Sequence, residues 1–293
     1  MERINFYDQI NKNKFLSFVF LLLAFLFAGF FIWFLSISFG LDVYIMLIVS
    51  IILSFIFVYS SYINSHKIAL MSVKAFKADE REYKHLHNMV EGLAIAAGIK
   101  KPEVYIMPSD EINAFASGRD PEHAVICVTQ GALKKLNDSE LEGVLAHEMS
   151  HIKHYDIRYI TIVTVVVGMI SLLSEIFLRS LWYRRRDREG SSILIILAII
   201  LAILAPIILR LIYLAISRKR EFMADAGAVE LTRNPKGLIN ALEKIKQDYL
   251  ITSKTKISRT LSPMFIADPH SIIRKLFSTH PPIEERIEIL KRM

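Results

Sequence analysis

The sequence predicts a mainly α membrane protein with a small β-sheet, in which four hydrophobic helical runs carry a cytosolic domain. Hydrophobic residues make up 53% of the 293, and they bunch into runs about as long as a bilayer is thick. A soluble domain would spread them as stripes. The polar stretches between and after the runs mix helical spacing with short strand candidates, bounded by Pro, Gly and Asp. Lys and Arg gather at the ends of the apolar runs.

The first run, Phe15 to Leu35, holds no charge, and the second, Leu41 to Ile63, holds only Asp42 at its edge. Each matches a hydrocarbon core of about 30 Å. The short link Ser36 to Gly40 makes them a helical hairpin. The first run is too long for a signal-peptide h-region and has no small-x-small cleavage pattern after it, so it reads as an anchor. The third run, Tyr159 to Leu178, lies between Arg158 and Arg179 and contains Glu175. The fourth, Ile193 to Ile216, contains Pro206, which can kink it, and Arg210, which can snorkel to an interface. The plain alternative for the third and fourth is a pair of buried helices packed on a soluble domain.

Arg3, Lys12 and Lys14 precede the first run, and Lys67, Lys74 and Lys77 follow the second, while their link has neither residue type. The positive-inside rule therefore puts both ends of the hairpin in the cytosol. The link between runs three and four carries Arg179, Arg184, Arg185, Arg186 and Arg188. Either the first hairpin dominates the topology or the second pair is only partly immersed.

The formal charge of +7 fits juxtamembrane basic residues facing an anionic leaflet. No basic stripe with interleaved aromatics points to nucleic acid, which is excluded as a partner. Cys127 is the only cysteine, so there is no intrachain disulfide, consistent with a reducing compartment. Within the polar segments, Asp79 to Ala97 has helical spacing and stops at Gly98. Val104 to Met107, Asn113 to Ala116 and Val125 to Thr129 read as strands. Gly237 to Tyr249 reads as a helix, followed by a Ser/Thr/Lys-rich linker around Ser253 to Ser262. No internal repeat is visible.

Ser139-Glu140-Leu141-Glu142 is a capping-box pattern that opens a helix leading into His147-Glu148-Met149-Ser150-His151. Residues four apart share a helix face, so both imidazoles can reach one ion, with Glu148 beside it as general base. That is the zincin arrangement, with zinc as Lewis acid and water activator, and it makes the cytosolic domain zincin-like and catalytic. Position 154 is not Gly and position 157 is not His, which excludes the metzincin subclass. His154 stands too far along the axis for tetrahedral geometry and reads as solvated or as a neighbour of a ligand.

A catalytic zinc site wants one more protein ligand. Glu221 is favoured over His270 and His280, because runs three and four, as an antiparallel pair, would return residues 151 and 221 to one membrane face. The plain alternative is a solvated Glu in the basic cluster Arg218, Lys219 and Arg220. Asp225, one turn beyond Glu221, can orient a ligand imidazole through its distal N–H.

With His147 to His151, Glu221 to Asp225, Asn113-Ala114-Phe115-Ala116 and Thr279-His280-Pro281-Pro282-Ile283-Glu284-Glu285-Arg286-Ile287, the chain resembles the HtpX family of membrane zinc peptidases, relatives of the CAAX prenyl proteases. The resemblance covers the whole chain. It implies a zinc-dependent endopeptidase of membrane-protein quality control that cleaves membrane or misfolded proteins, with Glu221 as third ligand. It further implies His280 and Arg286 as catalytic residues stabilising the oxyanion, and Asn113, Ala114, Phe115 and Ala116 as an edge strand that binds substrate backbone. Read without the family, His280 is a loop histidine before two prolines and Arg286 a solvated or salt-bridged helix residue.

The expected organisation is a transmembrane hairpin over 1–65, a first catalytic segment over 66–158, a second hydrophobic pair over 159–217 and a second catalytic segment over 218–293. The expected location is the cell membrane, multi-pass, with the catalytic domain cytoplasmic and one zinc per chain. Two alternatives stay open. A CAAX-type prenyl protease has more spans than the four runs found here. A non-catalytic zinc-binding scaffold would not need an intact Glu148.

Overall fold

A computed structural model describes residues 6–38, 42–159, 199, 220–252 and 281–293. Helix α1 spans Phe6–Ser38 and α2 spans Val43–Ile63, and the two pack together. Asp42 starts α2 by accepting from the Tyr44 and Ile45 amides at 3.0 and 2.9 Å. The packed faces are built from small residues: Ser17, Ala24 and Ala28 of α1, and Ser50, Ser54 and Ser61 of α2, are buried. A Cβ on Gly29 would meet Ser54 Oγ at 3.3 Å. Large apolar side chains such as Ile48, Phe55 and Tyr59 point outward and are more than half exposed. Small residues inside with large apolar ones outside is the pattern of helices that pack in lipid. Among the described residues α2 is the one helix long and apolar enough to cross a membrane, at about 31 Å for its 21 residues. The run Phe15 to Leu35 falls within α1, whereas runs three and four fall almost wholly outside the described residues.

Helix α3 (Ser65–Ser72) leads from α2 into a four-stranded mixed sheet. Its strands are β1 (Phe76–Lys77), β2 (Glu103–Met107), β3 (Ala114–Gly118) and β4 (Ala124–Thr129), in the order β1-β2-β4-β3. The β2–β4 pair is parallel and the β3–β4 pair antiparallel, so β3 is an edge. All three strand candidates read from the sequence are present within one or two residues of their expected bounds. Helix α4 covers Lys84–Ala97 and ends on Gly98 at φ +69, the left-handed cap that its glycine permits. It starts five residues later than its spacing suggested. The Asp79 carboxylate accepts from the Arg81 and Glu82 amides at 2.8 and 3.0 Å, which folds 79–83 into a turn.

Behind the sheet lie α5 (Gln130–Lys135), α6 (Asp138–Lys153) and α8 (Pro235–Thr252), with α7 (220–232) before α8 and α9 (Ile283–Leu290) at the end of the chain. The fold is mainly helical with one small sheet. Val90, Ile106, Ile126, Leu145, Met149 and Leu242 form the centre of its core. Helices α6 and α8 touch backbone to backbone, since a Cβ on Gly143 would stand 2.6 Å from Leu238 N. Asp248 of α8 accepts from Ile112 N at 2.8 Å, fixing the approach to β3.

The capping box of α6 is real but lies two residues earlier than Ser139. Asn137 accepts from Glu140 N, and Glu140 returns the bond to Asn137 N. Asn caps as well as Ser does, and Asn137-x-x-Glu140 satisfies the same reciprocal geometry. Ser139 instead accepts from the Asn234 amide at 3.0 Å, joining α6 to the loop before α8.

Candidate metal centre

Helix α6 carries His147 and His151 one turn apart, both buried, with rings edge to face at 89°. Their Nε2 atoms stand 3.2 Å apart. Glu221, in the first turn of α7, brings its Oε2 to 3.6 Å from His147 Nε2 and its Oε1 to 3.6 Å from His151 Nε2. Ligand atoms of the three residues all lie within 4.8 Å of one another.

Helix α7 reaches this position because Gly227 faces Ser150 of α6. A Cβ there would clash with Ser150 Oγ and stand 2.9 Å from its Cβ. Gly227→Ala is therefore expected to push α7 outward, at about 1–3 kcal/mol of overpacking. Since Glu221 rides on the same helix, bound metal should fall together with the thermal midpoint. A variant with wild-type melting and metal content would show that the close approach is dispensable.

The far nitrogens of both rings face carboxylates. His147 Nδ1 is 2.9 Å from Asp225 Oδ1, and His151 Nδ1 is 3.2 Å from Asp156 Oδ2. An ionised carboxylate only accepts, so a proton on each Nδ1 is the one that makes these contacts, and a neutral ring held this way turns its Nε2 lone pair inward. Two lone pairs and the Glu221 carboxylate then face one point, a repulsive arrangement that a cation relieves. At metal–nitrogen distances of about 2.0–2.1 Å, two tetrahedral ligands lie about 3.3 Å apart, which matches the 3.2 Å separation. The residues fit a divalent ion bound by two nitrogens and one carboxylate.

Glu148 accepts from Ala116 N of β3 at 2.8 Å. Burial pushes its carboxyl up from the ordinary carboxylate range. Burial also opposes ionisation of Asp225, but the Arg286 guanidinium and the His147 ring outweigh it and hold its carboxyl at about 2. Burial and the Arg286 charge would lower the His147 imidazole. Hydrogen bonds to Asp225 and Glu221 reverse this and hold it at about 9, so a proton competes with a metal for this ring.

Ala114, Phe115 and Ala116 lie on edge strand β3, all buried. Asn113 immediately precedes it, its amide oxygen accepting from Ala114 N at 3.0 Å. Arg286, on α9, is fully buried, and its Nε and Nη2 donate to Asp225 at 2.9 and 2.6 Å. His280 and His270 lie outside the described residues. His154 is not solvated: it is buried, with its Nδ1 3.2 Å from Ser150 Oγ, at the residue that caps α6. Sequence reasoning missed Asp156. A turn at Tyr155, with φ +61, follows α6, and just beyond it Asp156 Oδ2 stands 3.2 Å from His151 Nδ1.

Two buried imidazoles and a carboxylate converging on one point, with the Glu148 carboxylate beside them, define a metallopeptidase-type centre. The chain belongs to peptidase family M48, whose model matches residues 80–293, and it is a metallopeptidase. It is 44% identical to the "Protease HtpX homolog" of Caldanaerobacter subterraneus subsp. tengcongensis, over 98% of this chain and 96% of the relative. It is 40% identical to the protein of the same name from Streptococcus pneumoniae, over 98% of this chain and 99% of the relative. The crystal structure of S. mikatae Ste24p shares the fold, with a TM-score of 0.52 at 21% identity over 89% of this chain. This chain spans 61% of that one. The resemblance drawn from separated motifs is thus borne out along nearly the full length.

Proposed function

We propose that the chain is a membrane-anchored zinc endopeptidase that cleaves membrane or misfolded proteins at the cytosolic face, as part of protein quality control. The carrying observation is the 3.2 Å approach of the two imidazole Nε2 atoms with the Glu221 carboxylate 3.6 Å from each. A set of two imidazoles and one carboxylate suits zinc and leaves a fourth position open. Zinc bound there would supply Lewis acidity and make a water ligand acidic near neutral pH.

The protein's own residues do the rest. Glu148 accepts the proton of the attacking water and passes it to the leaving amine. Its contact with Ala116 N places that carboxylate at the β3 edge. The Ala116 N–H therefore faces away from β4, on the side where an extended peptide can add as a further strand. Asp225 and Asp156 keep the ligand rings turned inward. His280 is proposed as an oxyanion donor on the family resemblance. Anchoring rests on α1 and α2, multi-pass insertion on the runs over 159–178 and 193–216, and the cytosolic face on the Lys and Arg flanks of the first hairpin.

The test is metal analysis and proteolysis of purified protein before and after chelation. One zinc per chain is expected. Cleavage of an unfolded membrane substrate should vanish with a chelator and return with added zinc. Full cleavage by metal-free protein sinks the zinc reading, and cleavage confined to prenylated C-terminal peptides would favour a prenyl protease.

A further inference from the structure

Behind the proposed metal ligands lies a buried guanidinium that the hydrolytic steps above do not use. Arg286 comes from α9, the last helix, and reaches a carboxylate 61 residues away in sequence. Nε donates to Asp225 Oδ2 at 2.9 Å and Nη2 to Oδ1 at 2.6 Å, the parallel two-bond fork that matches a carboxylate. The remaining nitrogen, Nη1, is 3.8 Å from Glu221 Oε2. Nη2 also lies 3.3 Å from His147 Nδ1. That nitrogen's proton goes to the nearer Asp225 oxygen at 2.9 Å, so the arginine is a neighbour of the ring and not its donor.

We propose that Arg286 is a positioning residue: its two-bond fork holds the Asp225 carboxylate against Nδ1 of His147, and that contact keeps the ring turned with Nε2 toward the metal position. This rests on the metal site assigned under Proposed function. Two donors in one plane stop the carboxylate from rotating away from Nδ1, which its Oδ1 meets at 2.9 Å. The clamp is specific to the His147 side. Behind His151, Arg220 Nε stands 3.8 Å from Asp156 Oδ1, its guanidinium lying 4.0 Å over the Tyr159 ring.

The test compares zinc affinity, by competition with a chromophoric chelator, for the full-length wild type, Asp225→Asn, Arg286→Gln and the double variant. Each single change should weaken zinc binding about ten- to a hundredfold. The double should be no weaker than the worse single, because both act through one bond pair. The double also removes both buried charges together, so it reads the proposal even if Arg286→Gln alone does not fold. Unchanged zinc affinity in a folded Arg286→Gln with loss of turnover would overturn the proposal in favour of direct action on the reacting atoms. Multiplicative losses in the double would overturn it as well. His147→Ala separates the two levels. If it binds zinc like wild type, the metal site itself is wrong; if it loses zinc while Arg286→Gln and the double keep it, only the clamp is wrong.

Discussion

Glu148→Gln is expected to lower kcat/KM by about two to four orders of magnitude while zinc content stays at the wild-type level. The two properties separate because Glu148 is not among the three residues whose ligand atoms converge. Its carboxylate turns instead to the β3 edge, where Oε2 accepts from Ala116 N at 2.8 Å. A glutamine is the same size and keeps a carbonyl oxygen that can accept that bond, so the strand and α6 should hold their places. An amide has no basic oxygen to take the proton of the attacking water. Burial raises the affinity of this carboxyl for a proton, which suits it to that step. Cleavage of an unfolded substrate, measured beside metal content on one preparation, checks both halves. Near-wild-type cleavage would remove Glu148 from the chemistry, and lost zinc would mean that it supports the ligands instead.

The parts of this site that were legible in the sequence are those fixed by local spacing. His147 and His151 must share a face of any helix that contains them. Glu221 and Asp225 repeat the same four-residue step on α7, which is why one can face the metal position while the other backs a ring. Strands β2 and β4 were legible because their Val, Ile and Tyr stretches lie between Pro, Gly and Asp positions. The rest depends on tertiary contacts that no local pattern encodes. Asp156 backs His151 only because Tyr155 takes a left-handed turn, which is uncommon outside glycine. Arg286 sits on a helix whose period looks amphipathic, and such a residue is normally solvated. It is buried because its partner, Asp225, belongs to a helix far away in sequence. The place of His154 likewise follows from the end of α6, where the chain turns its side chain onto Ser150.

The hairpin of α1 and α2 and the catalytic part obey opposite rules of burial. Along α1 and α2 the polar hydroxyls of Ser17, Ser50 and Ser54 are buried and the large apolar side chains face out. In the catalytic part Leu145, Met149 and Leu242 are inside, with the charged groups of the site held among them. The first arrangement is stable where the surroundings are hydrocarbon, the second where they are water.

Glu221→Ala is expected to cost more zinc affinity than any change behind the ligands, beyond the about ten- to hundredfold loss set for Asp225→Asn. Removing it leaves two neutral imidazoles, which can hold an ion by lone pairs but cannot offset its charge in a buried site. Glu221 also joins α7 to α6 at the candidate metal position, with its two oxygens each 3.6 Å from a different imidazole. The variant should therefore be inactive and nearly zinc-free at equilibrium, yet still folded, since the α6–α8 contact at Gly143 and Leu238 and the Arg286–Asp225 pair do not involve it. Metal analysis after dialysis against a weak chelator, with a melting curve as control, reads this directly. A folded Glu221→Ala protein that keeps one tightly bound zinc would assign the third ligand elsewhere, with His280 and His270 next in line. The α7 carboxylate would then be a neighbour of the ion and not its anchor.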